Sequence, residues 1–206
     1  MTIEKGKEWG HRGPCPGGVI VVNSDRQLVD AWCDNPQSIF VVEAGDLHMA
    51  LGQPRWQPKD EVQHLPVDVL RVKISSGSSD DDDTHVMYAL SSIEIGTWLS
   101  RRRFICVSNC GFIGSYNIAP RAHPNDGEMD VVSIDPAMDW RQRFQARTRA
   151  RLGQHVPHPQ ISMERGVSHT WHKESAREKL RIDSAIVADW DRVEVSVLAD
   201  VCTVVV

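Results

Sequence analysis

The chain has 206 residues, 41% of them hydrophobic and 25% charged, which is typical of one soluble globular domain with at most a small appendage. Its net charge of -5 argues against a general nucleic-acid-binding protein, because phosphate binding favours a basic surface. The charged segment 1–9 is not typical of a secretory signal, and no apolar run is long enough to predict a membrane-spanning helix. Five cysteines without a disulfide-type spacing favour reduced thiols in the cytoplasm.

The N-terminal part of the chain shows alternating strand and helix patterns. Residues 1–18 are rich in glycine and predict an irregular arm. The β-branched runs 18–22 and 38–42 predict buried strands, and the segments 25–32 and 46–51 predict short helices. This alternation is typical of a parallel βαβ unit.

From residue 65 onward the pattern predicts mainly strands, at residues 66–74, 85–92, 103–108, 127–134 and 192–206. The run Asp80–Asp83 predicts a solvated hairpin loop. Its adjacent carboxylates would attract a cation, but a calcium loop needs spaced ligands and a glycine.

One segment, 139–152, is the clearest predicted helix, with Asp139 near its start and Gly153 after its end. It carries five arginines, at 141, 143, 147, 149 and 151. A solvated helix explains them, and contact with anionic lipid headgroups is the alternative. Core packing is the expectation for the tryptophans at 98, 140 and 171.

The most informative motif spans residues 109–132. Ten positions follow, in order, the outline N-G-x-x-x-G-G, A-P-x-A and D-D-G-x-L-D-V, namely Asn109, Gly111, Gly114, Ala119, Pro120, Ala122, Asp126, Gly127, Asp130 and Val131. This segment resembles the corresponding stretch of the diacylglycerol and sphingosine kinases. The resemblance implies an NAD kinase/diacylglycerol kinase-like fold. The fold class is therefore α+β: a mainly antiparallel β-sandwich domain at residues 65–206, after a small α/β (βαβ) remnant at residues 1–64.

The same resemblance implies a nucleotide-binding segment near the N-terminus. Asn23, Ser24, Asp25 and Gly45 fall where these kinases hold ATP, and only Asp25 remains of the glycine-rich G-G-D-G-T loop. Glycines in such a loop let backbone N–H groups approach phosphate oxygens, whereas side chains at 23, 24 and 26 would crowd that approach. The segment also resembles a shortened nucleotide-binding domain.

Catalytic and metal roles are likewise implied by the resemblance. Asp183 would be the general base, and Asp126 with Asn125 would hold magnesium, so ATP and Mg²⁺ are the expected cofactors of an active enzyme. The residues alone also allow a tight turn at 125–127 and an exposed carboxylate at 183.

These observations favour a degenerate lipid-kinase relative that binds a diacylglycerol-like lipid or a protein partner. The alternative is an active ATP-dependent lipid kinase whose ATP site is completed by another chain. An NAD kinase-type enzyme and a dimerising β domain stay open as well. The expected partners are a lipid, an anionic membrane surface, and a second copy or a separate chain, without nucleic acid. The expected location is cytoplasmic, peripheral to the membrane.

Overall fold

The computed structural model describes residues 8–77 and 84–206, so the acidic run at 80–83 lies outside the described residues. The helices of this part are α1 (Asp25–Asp34), α2 (Asp46–Ala50) and α3 (Trp140–Ala150). The strands are β1 (His11–Pro14), β2 (Ile20–Val22), β3 (Ile39–Val42), β4 (Glu61–Ser75), β5 (Thr84–Ala89), β6 (Ser92–Gly96), β7 (Phe104–Ser108), β8 (Phe112–Ile113), β9 (Tyr116–Asn117), β10 (Met129–Ile134), β11 (Ile161–Gly166), β12 (Ser168–His172), β13 (Leu180–Ile182), β14 (Ala185–Val187) and β15 (Arg192–Val205). Among the described residues, no helix is long and apolar enough to cross a membrane.

The first sheet has seven strands, in the order β1-β4-β15-β3-β2, with β5 added to β4 and β12 added to β15. The pairs β2–β3 and β3–β15 are parallel, and the remaining pairs are antiparallel. Because α1 connects the parallel strands β2 and β3, the predicted βαβ unit is confirmed.

The second sheet has six antiparallel strands, in the order β11-β10-β7-β6-β13-β14. Its inner face packs against β4, β5 and β15 of the first sheet and forms one apolar core. Ile93, Ile105 and Val131 of the second sheet share this core with Val72 and Val195 of the first. The predicted antiparallel sandwich is therefore confirmed.

Strand β4 supports two different cores, one on each face. Val67 and Val69 pack with α1 and α2, whereas Val72 and Ile74 pack in the sandwich. Successive side chains of a strand point to opposite faces, so the odd-numbered and even-numbered residues separate in this way. The predicted boundary between residues 64 and 65 lies inside this strand, near the point where it enters the sandwich.

Helix α3 covers the outer face of the second sheet, with Ala146 and Ala150 in a third apolar cluster. Two sequence predictions about this helix are wrong. Arg143 is fully buried rather than solvated, and Trp140 is 55% exposed rather than in the core. The buried positions 143, 146 and 150 share one side of the helix, which turns Trp140 outward.

Three strand regions differ from the sequence predictions. β1 forms within the segment predicted as an irregular arm, because it pairs with residues 61–64 of β4. The predicted strand 85–92 is divided between β5 and β6, which belong to different sheets. β13 and β14 form a tight hairpin at the edge of the second sheet.

Candidate functional site

The segment that resembles the glycine-rich nucleotide loop lies at the start of α1. Ser24 is the N-cap residue, and its hydroxyl accepts a hydrogen bond from the Gln27 backbone N–H at 3.1 Å. The Gln27 side chain in turn accepts from the Asn23 backbone N–H at 2.8 Å. A serine followed three residues later by glutamine is typical of a helix start, and here the glutamine side chain bonds to the residue before the N-cap. Two backbone donors of this segment are therefore already paired within the chain.

Asp25 points away from solvent and holds the beginning of α2. Its carboxylate accepts from the backbone N–H groups of Asp46 at 2.7 Å and Leu47 at 3.1 Å. Gly45 lies directly against it with a φ of 115°, and a Cβ at this position would come within 2.7 Å of an Asp25 carboxylate oxygen. The close approach and the positive φ both require glycine here.

Asp46 is the second buried carboxyl group of the site and is 8% exposed. One oxygen accepts from the Gly114 backbone N–H at 2.6 Å, in the turn between β8 and β9. The other lies 3.4 Å from the Ser91 hydroxyl, which also donates to Asp183 at 2.8 Å. Ser91 thus connects the carboxyl groups of Asp46 and Asp183.

Asp183 lies in the tight turn between β13 and β14, where it and Ser184 both have positive φ, at 43° and 69°. Its carboxylate accepts from three consecutive backbone N–H groups, those of Leu90, Ser91 and Ser92, at 2.8, 3.0 and 3.0 Å. It therefore fixes the connection between the two sheets.

Burial and mutual repulsion set the charge of this cluster. Burial is the main cause that raises the pKa of Asp25 to about 6, and the nearby Asp183 charge adds to it. Burial also raises the pKa of Asp46 to about 7, with the Asp25 charge as the second cause. Both carboxyl groups therefore bind protons more readily near neutral pH than ordinary aspartates do.

An open groove of about 580 Å³ lies beside the cluster. It is lined by residues of α2, the segment before it and the β8–β9 turn, including Gly45, Asp46, His48, Met49, Gly114 and Ser115. Asp46 is therefore the one carboxyl group of the cluster that lines this groove.

The motif at 109–132 has clear structural roles. The Asn109 amide donates to the carbonyl oxygens of Asp68 and Leu90, at 2.9 and 3.0 Å, and so connects β4 to the end of β5. Gly111 has a φ of 86°, and a Cβ there would lie 2.7 Å from the Ala119 carbonyl oxygen. These contacts hold the loop that carries Gly114 against Asp46.

Asn125 and Asp126, the predicted magnesium ligands, lie in a second polar cluster around the buried Asp68. The Asn125 amide donates to Asp200 at 2.7 Å, and Asp68 accepts from the backbone N–H groups of Gly127 and Asp200 at 2.8 and 2.9 Å. None of these hydrogen bonds connects Asn125 or Asp126 to the first cluster, which is formed by Asp25, Asp46, Ser91 and Asp183.

At this second cluster, one observation favours magnesium binding and another disfavours it. The Asn125 side-chain oxygen is buried without a hydrogen-bond partner, as a cation ligand would be. Asp126, however, forms an ion pair with Arg165, which supplies positive charge at that carboxylate. Within residues 8–77 and 84–206, no group of three or more His, Cys, Asp or Glu is arranged to hold a metal ion. The magnesium role of Asn125 and Asp126 stays a prediction.

Sequence reasoning missed two members of the first cluster, Asp46 and Ser91. Asp46 follows Gly45 in the segment that resembles the kinase pattern, so its position next to a predicted site residue was a usable signal. Ser91 gives no such signal, because the turn between β5 and β6 brings it to Asp183, 92 residues away.

Comparison with known proteins identifies the fold. Residues 91–185 match the family described as the YegS C-terminal NAD kinase beta sandwich-like domain. A diacylglycerol kinase structure from Bacillus anthracis str. Sterne is similar at 13% identity, covering 90% of this chain and 75% of that chain, with a TM-score of 0.53. Yeast NADH kinase complexed with NADH is similar at 11% identity, covering 91% of this chain and 60% of that chain, with a TM-score of 0.54. No curated protein sequence matches significantly.

Residues 91–185 therefore match an NAD kinase-type β-sandwich domain, which confirms the predicted resemblance to the diacylglycerol kinase and NAD kinase-like group. The structural neighbours, at their low identities, support the same fold over nine-tenths of the chain.

Proposed function

We propose that this protein is a member of the diacylglycerol kinase-like group that acts by binding a lipid or a protein partner, with little or no phosphoryl transfer. The observation that carries the proposal is a pair of hydrogen bonds within the Asn23–Gln27 segment, from backbone N–H groups to side chains of the same segment. The Gln27 and Ser24 side chains accept from the backbone N–H groups of Asn23 and Gln27, in the segment that resembles the phosphate-binding loop of the related kinases. Phosphoryl transfer depends mainly on positioning and charge neutralisation, so the internal pairing of these two donors weakens the phosphate-binding loop that the reaction needs.

The environment of Asp183 supports the same proposal. A general base must accept a proton from the substrate hydroxyl within hydrogen-bond reach. Asp183 instead accepts three backbone bonds and the Ser91 hydroxyl, which favours a role in fixing the turn.

The proposal is tested by incubating the purified chain with radiolabelled ATP, magnesium and diacylglycerol in mixed micelles. We expect no labelled lipid above the level of a heat-denatured sample. Labelled phosphatidic acid that disappears in an Asp25→Asn variant would contradict the proposal.

A second candidate function is an active lipid kinase whose ATP site is completed by another chain. The observation in its favour is the buried carboxyl pair of Asp25 and Asp46, because pKa values of about 6 and 7 suit acid–base work near neutral pH. ATP and Mg²⁺ would then be the cofactors.

This candidate predicts lipid phosphorylation in a lysate of cells that produce the chain, above that of a matched lysate producing Asp46→Asn. Asn keeps the oxygen that accepts from Gly114 and removes the titrating group. Equal phosphorylation in the two lysates would count against an active kinase.

A further inference from the structure

Helix α3 and the residue after its last turn expose three large apolar side chains. Trp140 is 55% exposed, Phe144 59% and Leu152 74%. Trp140 and Phe144 are one helical turn apart and are therefore neighbours on the surface. Adjacent exposed apolar side chains that are surrounded by basic residues indicate a surface that binds a membrane or another molecule.

The same helix is strongly basic. Residues 140–152 contain five arginines and no Asp or Glu, although the whole chain has a net charge of -5. Arg141, Arg149 and Arg151 are exposed, whereas Arg143 is fully buried. The exposed surface of this helix therefore carries both the aromatic pair and several positive charges, with Arg141 in contact with Trp140.

Cationic and aromatic groups contact each other at this surface. The Arg141 guanidinium lies 5.4 Å from the Trp140 ring centroid. Those of Arg147 and Arg151 lie 4.9 and 5.6 Å from the Tyr116 ring centroid, in strand β9 beside α3. These contacts extend the cationic and aromatic surface from α3 to the β8–β9 hairpin, whose turn lines the groove next to Asp46.

The buried side of α3 is fixed by Arg143, Ala146 and Ala150, so the helix cannot turn its exposed aromatic residues into the protein. Arg143 donates to the carbonyl oxygens of Met138, Trp98, Arg102 and Asp135, at 3.0, 3.0, 2.9 and 2.7 Å. The exposed side of α3 is therefore held outward on a rigid support.

We propose that α3 docks on an anionic lipid bilayer and lies in the plane of its surface. Trp140, Phe144 and Leu152 would enter the region between headgroups and acyl chains, where tryptophan is favoured. Arg141, Arg149 and Arg151 would meet the lipid phosphates. A helix with aromatic and leucine side chains beside arginines fits such an interface, whereas a nucleic acid would match the arginines but offer no apolar medium for Leu152.

This inference goes beyond the proposed function, since it requires neither ATP nor an occupied groove. It is tested by sedimentation of the full chain with vesicles of phosphatidylcholine alone and of phosphatidylcholine mixed with phosphatidylglycerol, without nucleotide. We expect binding to the mixed vesicles only, weakened by added salt.

Two variants of α3 separate the apolar and the charged contributions. We expect Trp140→Ala/Phe144→Ala to reduce binding at least tenfold, and Arg141→Gln/Arg149→Gln to reduce it by about fivefold per arginine. All four side chains are exposed, so circular dichroism and thermal unfolding should match the parent protein. Matched controls on other surfaces are Ile186→Ala and Arg55→Gln, which should leave binding unchanged.

Several outcomes would overturn the proposal. They are no binding to the mixed vesicles, equal binding to the neutral vesicles, and equal binding by the parent and both α3 variants. Binding of a DNA or RNA oligonucleotide that Arg141→Gln/Arg149→Gln abolishes, without vesicle binding, would assign this surface to nucleic acid instead.

Discussion

At the scale of single residues, the buried carboxyl groups of Asp25 and Asp46 decide how the site responds to pH. Each has a folded-state pKa raised above the ordinary aspartate value of 3.8, chiefly by burial. The folded protein therefore binds these protons more tightly than the unfolded chain does. Their contribution to stability is complete below the unfolded pKa and is lost as pH rises through the folded values near 6 and 7.

The direction of this pH dependence of stability gives a prediction for Asp46→Asn. The variant cannot ionise, so its stability relative to the parent should improve by about 1–3 kcal/mol between about pH 5 and about pH 8. Urea unfolding at the two pH values measures the change, with the exposed Asp189→Asn as the matched control. A relative stability that is the same at both pH values would contradict the raised pKa of Asp46.

A second residue-scale prediction concerns Asp68, which is fully buried. Asp68→Ala would leave the backbone N–H groups of Gly127 and Asp200 without their acceptor. We expect a loss of about 2–4 kcal/mol in the free energy of unfolding, since each unsatisfied buried donor costs about 1–3 kcal/mol. The exposed Asp189→Ala should change it by less than about 0.5 kcal/mol. Equal stability of the two variants would show that the Asp68 bonds contribute nothing.

At the scale of secondary-structure elements, α3 depends on one buried cation. The Arg143 guanidinium joins the helix to the turn before it and to the loop after β6, through four backbone carbonyl oxygens. Lysine has no planar set of donors and cannot serve all four acceptors. We predict that Arg143→Lys lowers the free energy of unfolding by about 2–4 kcal/mol, as measured by urea denaturation.

The matched change at an exposed position of the same helix is Arg149→Lys. Because this side chain lies at the surface, we expect an effect within about 0.5 kcal/mol. A comparable loss in both variants would mean that the cost at position 143 reflects helix propensity rather than the buried bonds.

At the scale of the whole molecule, part of the fold could be predicted from the sequence. β-branched runs and their spacing were sufficient for the βαβ unit and for the sandwich strands β4, β5, β7, β10 and β15. The motif at 109–132 was sufficient for the family, because glycines such as Gly111 meet backbone atoms so closely that their positions are restricted.

Contacts between segments that are far apart in the chain could not be predicted from sequence patterns. β1 is a strand only because residues 61–64 of β4 pair with it, and Ser91 reaches Asp183 only through the arrangement of the two sheets. Arg143 has no sequence feature that separates it from the other arginines of this charged helix, since the four carbonyl oxygens around it come from the turn before α3 and from the distant loop after β6.

The measurement that tests the central claim most directly is isothermal titration of the purified chain with ATP and magnesium. The claim is that the Asn23–Gln27 segment pairs two of its own backbone donors, carries side chains where the related kinases have glycines, and so does not hold nucleotide phosphates. It predicts no saturable heat, for the parent chain or for an Asp126→Ala variant. Saturable binding by the parent that the Asp126→Ala variant loses would contradict it and restore both the nucleotide site and the predicted magnesium site.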